Sequence, residues 1–150
     1  MQGASFPFPS YLACMHGNRL TIPFTLPEVY HGLAEGHGRL HVGEEGLRLE
    51  YRIKDAMFGL LKSRVKEVFI PWSEIWEFEC KIGWVRRRFI IHAHSLDLVS
   101  DLPGAEDGRI ELRFKKISKE RLREIHSHIM LRRSEQQLSD LDSSWPKDLQ

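Results

Sequence analysis

The feature that most constrains this chain is a change of period. From about residue 38 to residue 115, apolar and polar side chains alternate in short runs; beyond residue 117 the apolar spacing becomes helical. Leu40 and Val42 alternate with Arg39 and His41, then Leu47, Leu49, Tyr51 and Ile53 with Arg48, Glu50, Arg52 and Lys54. Successive side chains of a strand point to opposite faces, so each run predicts a strand with one buried face. Gly43-Glu44-Glu45-Gly46 supplies turn chemistry between these two. Runs at 65–71 and 75–82 follow across a short turn, with Trp76, Phe78 and Cys80 on one side of the second. Gly83 marks the next hairpin, Phe89, Ile91 and Ala93 alternate beyond it, and residues 96–102 read as a weaker strand. Ile110, Leu112 and Phe114 complete the series against Arg109, Glu111, Arg113 and Lys115.

The helix that follows is predicted from its first turn. Ser118 is placed to cap it, Glu120 lies where the helix dipole favours an acid, and Ile117 and Leu122 can pack across the cap. Leu122, Ile125 and Ile129 form one apolar stripe, and Arg132 and Arg133 close it with the favourable sign. Residues 134–150 are polar, carry a lone Trp145, and read as a flexible tail. Residues 1–37 read as an irregular arm; 20–26 within it could be an edge strand, because Pro23 is tolerated at an edge or a bulge.

Seven short strands joined by connections too brief for crossovers, then one amphipathic helix, specify an antiparallel sheet that curls into a half-open barrel capped by the helix. Over residues 38–133 this order resembles the pleckstrin-homology (PH) superfold. The likeness rests on Gly38-Arg39-Leu40-His41-Val42 followed by Gly46-Leu47-Arg48-Leu49-Glu50, and on Leu102-Pro103-Gly104 before the last strand and helix. Phe69-Ile70-Pro71-Trp72-Ser73-Glu74-Ile75 is similar to a step of GRAM and bacterial PH-like domains. The resemblance implies a non-enzymatic ligand-binding or assembly module, in bacterial members often a homo-oligomer. Function does not travel with fold, so the site must be argued from residues.

Composition narrows the partners. A chain of 150 residues has room for one core, and 41% hydrophobic with 29% charged residues is ordinary for a globular protein. A net charge of +1 gives no global pull toward nucleic acid or membrane, so any electrostatic partner meets a local patch. Two cysteines, Cys14 and Cys80, without a Cys-x-x-Cys motif suit a reduced, cytoplasmic protein. The first fourteen residues lack a basic region and are broken by Pro7 and Pro9, and no run approaches the ~20 apolar residues that span a bilayer.

Catalytic signatures are missing: no Gly-x-Ser-x-Gly elbow, no phosphate-cradling glycine loop, and Cys80 in phase with apolar neighbours. No cofactor and no metal are expected. His92 and His94 share a strand face and could chelate, and His37, His41, Glu44 and Glu45 surround one hairpin, but neither set has the spacing of a known site. His126 and His128, two apart on a helix, diverge.

Two surfaces are unusual for solvated loops. In the first, Met57, Phe58, Leu60 and Leu61 are bracketed by Lys54, Lys62, Arg64 and Lys66. Burying each apolar side chain is worth ~1.5–3 kcal/mol, so the tip should meet the barrel's own open end, another subunit, or a bilayer boundary where the bases face anionic headgroups. Phosphoinositide-binding PH domains carry a Lys followed after a gap by (Lys/Arg)-x-Arg, which Lys54 and Lys62-Ser63-Arg64 resemble, though in those domains the run spans the first two strands and here both precede Lys54. In the second surface Trp84 stands beside Arg86, Arg87 and Arg88 at a hairpin tip. Tryptophan with arginine marks protein interfaces; stacking on single-stranded nucleic acid uses the same pair but lacks support from the net charge. The expected function is therefore protein binding, with self-assembly first. Peripheral binding to an anionic membrane is the alternative, and a metal-dependent hydrolase built on the histidines is third.

Overall fold

The computed structural model describes residues 20–29, 32–55, 64–146 and 148. Among these residues are seven strands: β1 (Thr21–Val29), β2 (Ala34–Val42), β3 (Gly46–Asp55), β4 (Lys66–Pro71), β5 (Ile75–Ile82), β6 (Arg87–Ala93) and β7 (Arg109–Phe114). Every pairing is antiparallel, in one sheet of order β4-β3-β2-β1-β7-β6-β5. The two edge strands, β4 and β5, are consecutive in the chain and joined only by a 3-10 turn, Trp72–Glu74. That short link holds the two edges near one another, so the sheet curls but does not close. It is a half-open barrel.

The helix lies over this opening. It runs Lys119–Ser144 and packs against the 3-10 turn and β5. Trp72 anchors the turn from below: it is buried, its indole N–H donates to the Glu44 carbonyl at 2.8 Å, and its backbone N–H donates to Glu45. Leu122, Ile125 and Ile129 bury completely and join the inward side chains of all seven strands in one core. Arg133 closes the lip by donating to the carbonyls of Ile75 and Trp76 at 3.2 and 3.1 Å.

The alternating runs at 40–42, 47–53 and 109–114 are strands in the phase expected of them. Elsewhere the elements differ from the sequence reading. Residues 21–29 form an interior strand, between β2 and β7, not an edge. Pro23 survives there for a geometric reason. The Val42 N–H donates to Leu20, making that a hydrogen-bonded pair, and strict alternation then turns the Pro23 nitrogen away from β2. It faces β7, where register pairing is confined to Thr25 and Arg113.

Residues 96–102 are not a strand. They hold a one-turn helix, α1 (Leu96–Val99), and a turn closed by the Leu102 N–H on the Val99 carbonyl. The buried apolar positions there, Val99 and Leu102, are three apart, which suits a helical turn, and Leu96 is exposed. In β5 the register slips between Ile75 and Glu77, an extra residue that swings Trp76 out to solvent while Phe78 stays in the core. The main helix, α2 (Lys119–Ser144), outruns its predicted end at Arg133 by three turns, so the first eleven residues of the expected tail are helical. No helix among the described residues is long and apolar enough to cross a membrane.

Candidate interaction surfaces

The hairpin between β5 and β6 is the first surface. Its four-residue tip is closed by the Gly83 N–H on the Arg86 carbonyl at 2.8 Å, which leaves Trp84 and Val85 projecting from a rigid two-stranded base. Trp84 is 91% exposed and Val85 85%, the two most exposed large apolar side chains among the described residues. The Lys119 ammonium lies 6.0 Å from the Trp84 ring centre, at the outer limit of cation–π attraction. The three arginines beside them divide. Arg87 donates to the Ile117 carbonyl and locks the hairpin to the start of α2. Arg88 reaches Glu111 at 3.3 Å. Arg86 alone stays exposed and unpaired among the described residues.

Glu111 gathers Arg88, Arg109 and Arg113 at 3.3, 3.4 and 2.9 Å on the outer face of the sheet. Burial pushes its carboxyl up, yet the hydrogen bonds from Arg113 and Arg88 outweigh this and hold it below the usual carboxylate range. Two of the predicted basic residues, Arg87 and Arg88, are thus each engaged by a partner within the fold.

The second predicted surface is only partly placed. Met57, Phe58, Leu60, Leu61 and Lys62 lie outside the described residues. Lys54 at the end of β3, and Arg64 and Lys66 at the approach to β4, are all exposed. The bases therefore stand at both ends of the 56–63 connection.

The histidines separate into local pairs. His37 lies 3.2 Å from Glu35, whereas His41 sits 2.9 Å from the Thr21 hydroxyl and 3.3 Å from Glu50, the latter poorly aligned for a hydrogen bond. Glu44 and Glu45 line a shallow hollow of about 430 Å³ with His41, Arg48 and Phe69, and His37 is not part of it. His92 belongs to a separate cluster: Glu77 and Glu79 of the neighbouring strand lie 3.7 and 3.5 Å from its Nε2, and Trp76 packs on its ring at 4.9 Å. These three groups set their ligand atoms within 4.8 Å of one another, close enough to hold a cation, although Lys81 already takes Glu79 at 3.1 Å. The Lys81 hydrogen bond, with His92 adding to it, keeps the Glu79 carboxyl below its ordinary value. Sequence spacing could not find this group, since it depends on Glu77 lying opposite His92 in the register. Cys80 is half-buried and free, and burial pushes its thiol up, away from a reactive thiolate.

A further surface lies on the distal half of α2, where the sequence marked Trp145 alone. No side chain of α2 beyond Ile129 is buried, yet Met130, Leu131, Leu138, Leu141 and the cap residue Trp145 are large, apolar and exposed.

No protein-family model, no curated protein and no solved structure matches this chain.

Proposed function

We propose that this chain is a non-catalytic PH-like binding module that recognises protein, in the first instance copies of itself. The observation that carries the reading is the Trp84–Val85 tip. Two large apolar side chains stand almost wholly in water at the end of a braced hairpin, next to the unpaired cation of Arg86. A hydrophobic anchor on a rigid base with a positive rim is the make-up of an interface hot spot. A strand order of β4-β3-β2-β1-β7-β6-β5 closed by one C-terminal helix supports the PH-like part of the reading. Light scattering after size-exclusion chromatography tests it. The wild-type chain should elute above monomer mass, and Trp84→Ser with Val85→Ser should weaken that association. A strict monomer at every concentration would remove self-recognition.

A second reading, attachment to an anionic bilayer, is favoured by the exposed Lys54, Arg64 and Lys66 at the two ends of the 56–63 connection. It requires co-sedimentation with phosphatidylserine vesicles that is lost in high salt and in the Lys54→Glu, Arg64→Glu, Lys66→Glu variant. Equal binding to neutral vesicles would count against it.

A further inference from the structure

The outward face of α2 follows a different repeat from its buried face. Leu131, Ser134, Leu138, Leu141 and Trp145 are spaced three, four, three and four apart, the heptad pattern of a coiled-coil seam. Leu131, Leu138, Leu141 and Trp145 are between 56% and 66% exposed. At ~100° per residue this stripe points roughly 180° away from Leu122, Ile125 and Ile129, which face the barrel. The helix thus carries two apolar stripes, back to back and offset along its length: one is covered by the barrel and the other by nothing among the described residues.

We infer that the second stripe is a self-pairing seam, on which the same helix of a second copy docks in parallel, forming a short two-stranded coiled coil. This rests on the assembly reading and adds to it a second surface, apart from the Trp84 tip. Charge permits a second copy and sets its direction. The positions flanking the seam are Glu135 and Asp142 on one side and Met130, Gln137 and Ser144 on the other. Parallel pairing sets Glu135 against Met130 and Asp142 against Gln137 of the other copy, an acid beside a neutral group each time. Antiparallel pairing would set Glu135 beside Asp142, two like charges.

Charge also fixes where the seam stops. Continued toward the helix start, the same positions are Ser127, Glu124 and Glu120, so facing copies would repel there. The contact is limited to the stretch from Ser127 to Trp145, and the two barrels diverge. They do not collide, because each is bound to the opposite face of its helix.

An interface this short belongs at the weak end of specific association, so self-pairing should be read by sedimentation from about 1 µM to about 1 mM. The expected result is a monomer–dimer equilibrium whose Kd rises about a hundredfold or more in Leu138→Glu with Leu141→Glu, while the far-ultraviolet spectrum and thermal unfolding are preserved. In a Cys14→Ser, Cys80→Ala background, Ser134→Cys should form a symmetric disulfide under mild oxidation, because a parallel seam brings the two copies of position 134 together. An oligomer untouched by the two glutamates but lost with Trp84→Ser overturns the seam and leaves the assembly reading standing. A strict monomer at 1 mM overturns both. Loss of the dimer in the glutamate variant without cross-linking at position 134 overturns the parallel arrangement.

Discussion

Gly38 lies on β2 where Phe24 of β1 crosses directly over it. A Cβ at this position would come within 2.2 Å of the Glu50 carbonyl and 2.6 Å of the Phe24 ring, so neither the backbone of β3 nor the ring could be avoided. Gly38→Ala should therefore cost about 1–3 kcal/mol, read as a lower urea midpoint with an unchanged slope; an unaltered midpoint would show that the sheet can part at this point. His126 gives a prediction about pH. Its ring stacks on Phe78 at 5.8 Å, and burial holds its pKa below the usual histidine value near 6.5. His128 is lowered as well, by burial first and by Arg132 second. A histidine whose folded pKa is depressed is neutral in the native state while the unfolded chain still takes up a proton, so stability is intact above about pH 6.5 and declines as the pH falls through it. Thermal midpoints at pH 7.5 and 5.5 should show this fall. His126→Gln should flatten part of it, the remainder belonging to His128; an identical slope in the variant would exclude His126 as its source.

The start of α2 shows how far local chemistry was readable. The Ser118 side chain accepts from the Arg121 N–H at 3.1 Å, as the sequence led one to expect, and Ser118→Ala should lose about 1 kcal/mol in chemical denaturation. A difference within error of zero would mean that solvent replaces the cap. Strands with one wet and one dry face announced themselves through period-two alternation, and β2, β3 and β7 needed nothing more. Local pattern misleads where a second element overrides it. Pro23 signals an edge only if both flanks of a strand are paired, and the missing N–H of β1 points into the sparse contact with β7. Trp76 falls in phase with Phe78 along the chain, and the extra residue in β5 that turns it outward is invisible without the partner strand. The sequence ends the helix at Arg133 because its apolar stripe changes faces after Ile129, and a stripe that jumps to the opposite side reads as the loss of one. Of the candidate surfaces, Trp84 was legible as an aromatic at a glycine-marked tip. The commitment of Arg87 and Arg88 was not, since Ile117 and Glu111 reach them only through the fold.

At the scale of the whole molecule, the distal half of α2 contributes no buried side chain to the barrel core. The core ends at Ile129, and the last ties to the barrel are made by Arg132, which reaches Glu44 at 4.0 Å, and by Arg133. Removing residues 137–150 should therefore leave the thermal midpoint within a few degrees of the full chain, while abolishing whatever self-association the seam supports. A large drop in midpoint would show that the distal helix braces the barrel. The closure of the sheet has a consequence for how the chain is made. Thr25 and Arg113, whose pairing joins the two halves of the sheet, are 88 residues apart. At 5–20 residues per second a ribosome needs roughly 4–18 s to travel that distance. For that interval the nascent β1–β4 meander waits with one flank of β1 unpaired, and Pro23, which has no N–H to offer on that flank, leaves one fewer donor for a stray strand to capture.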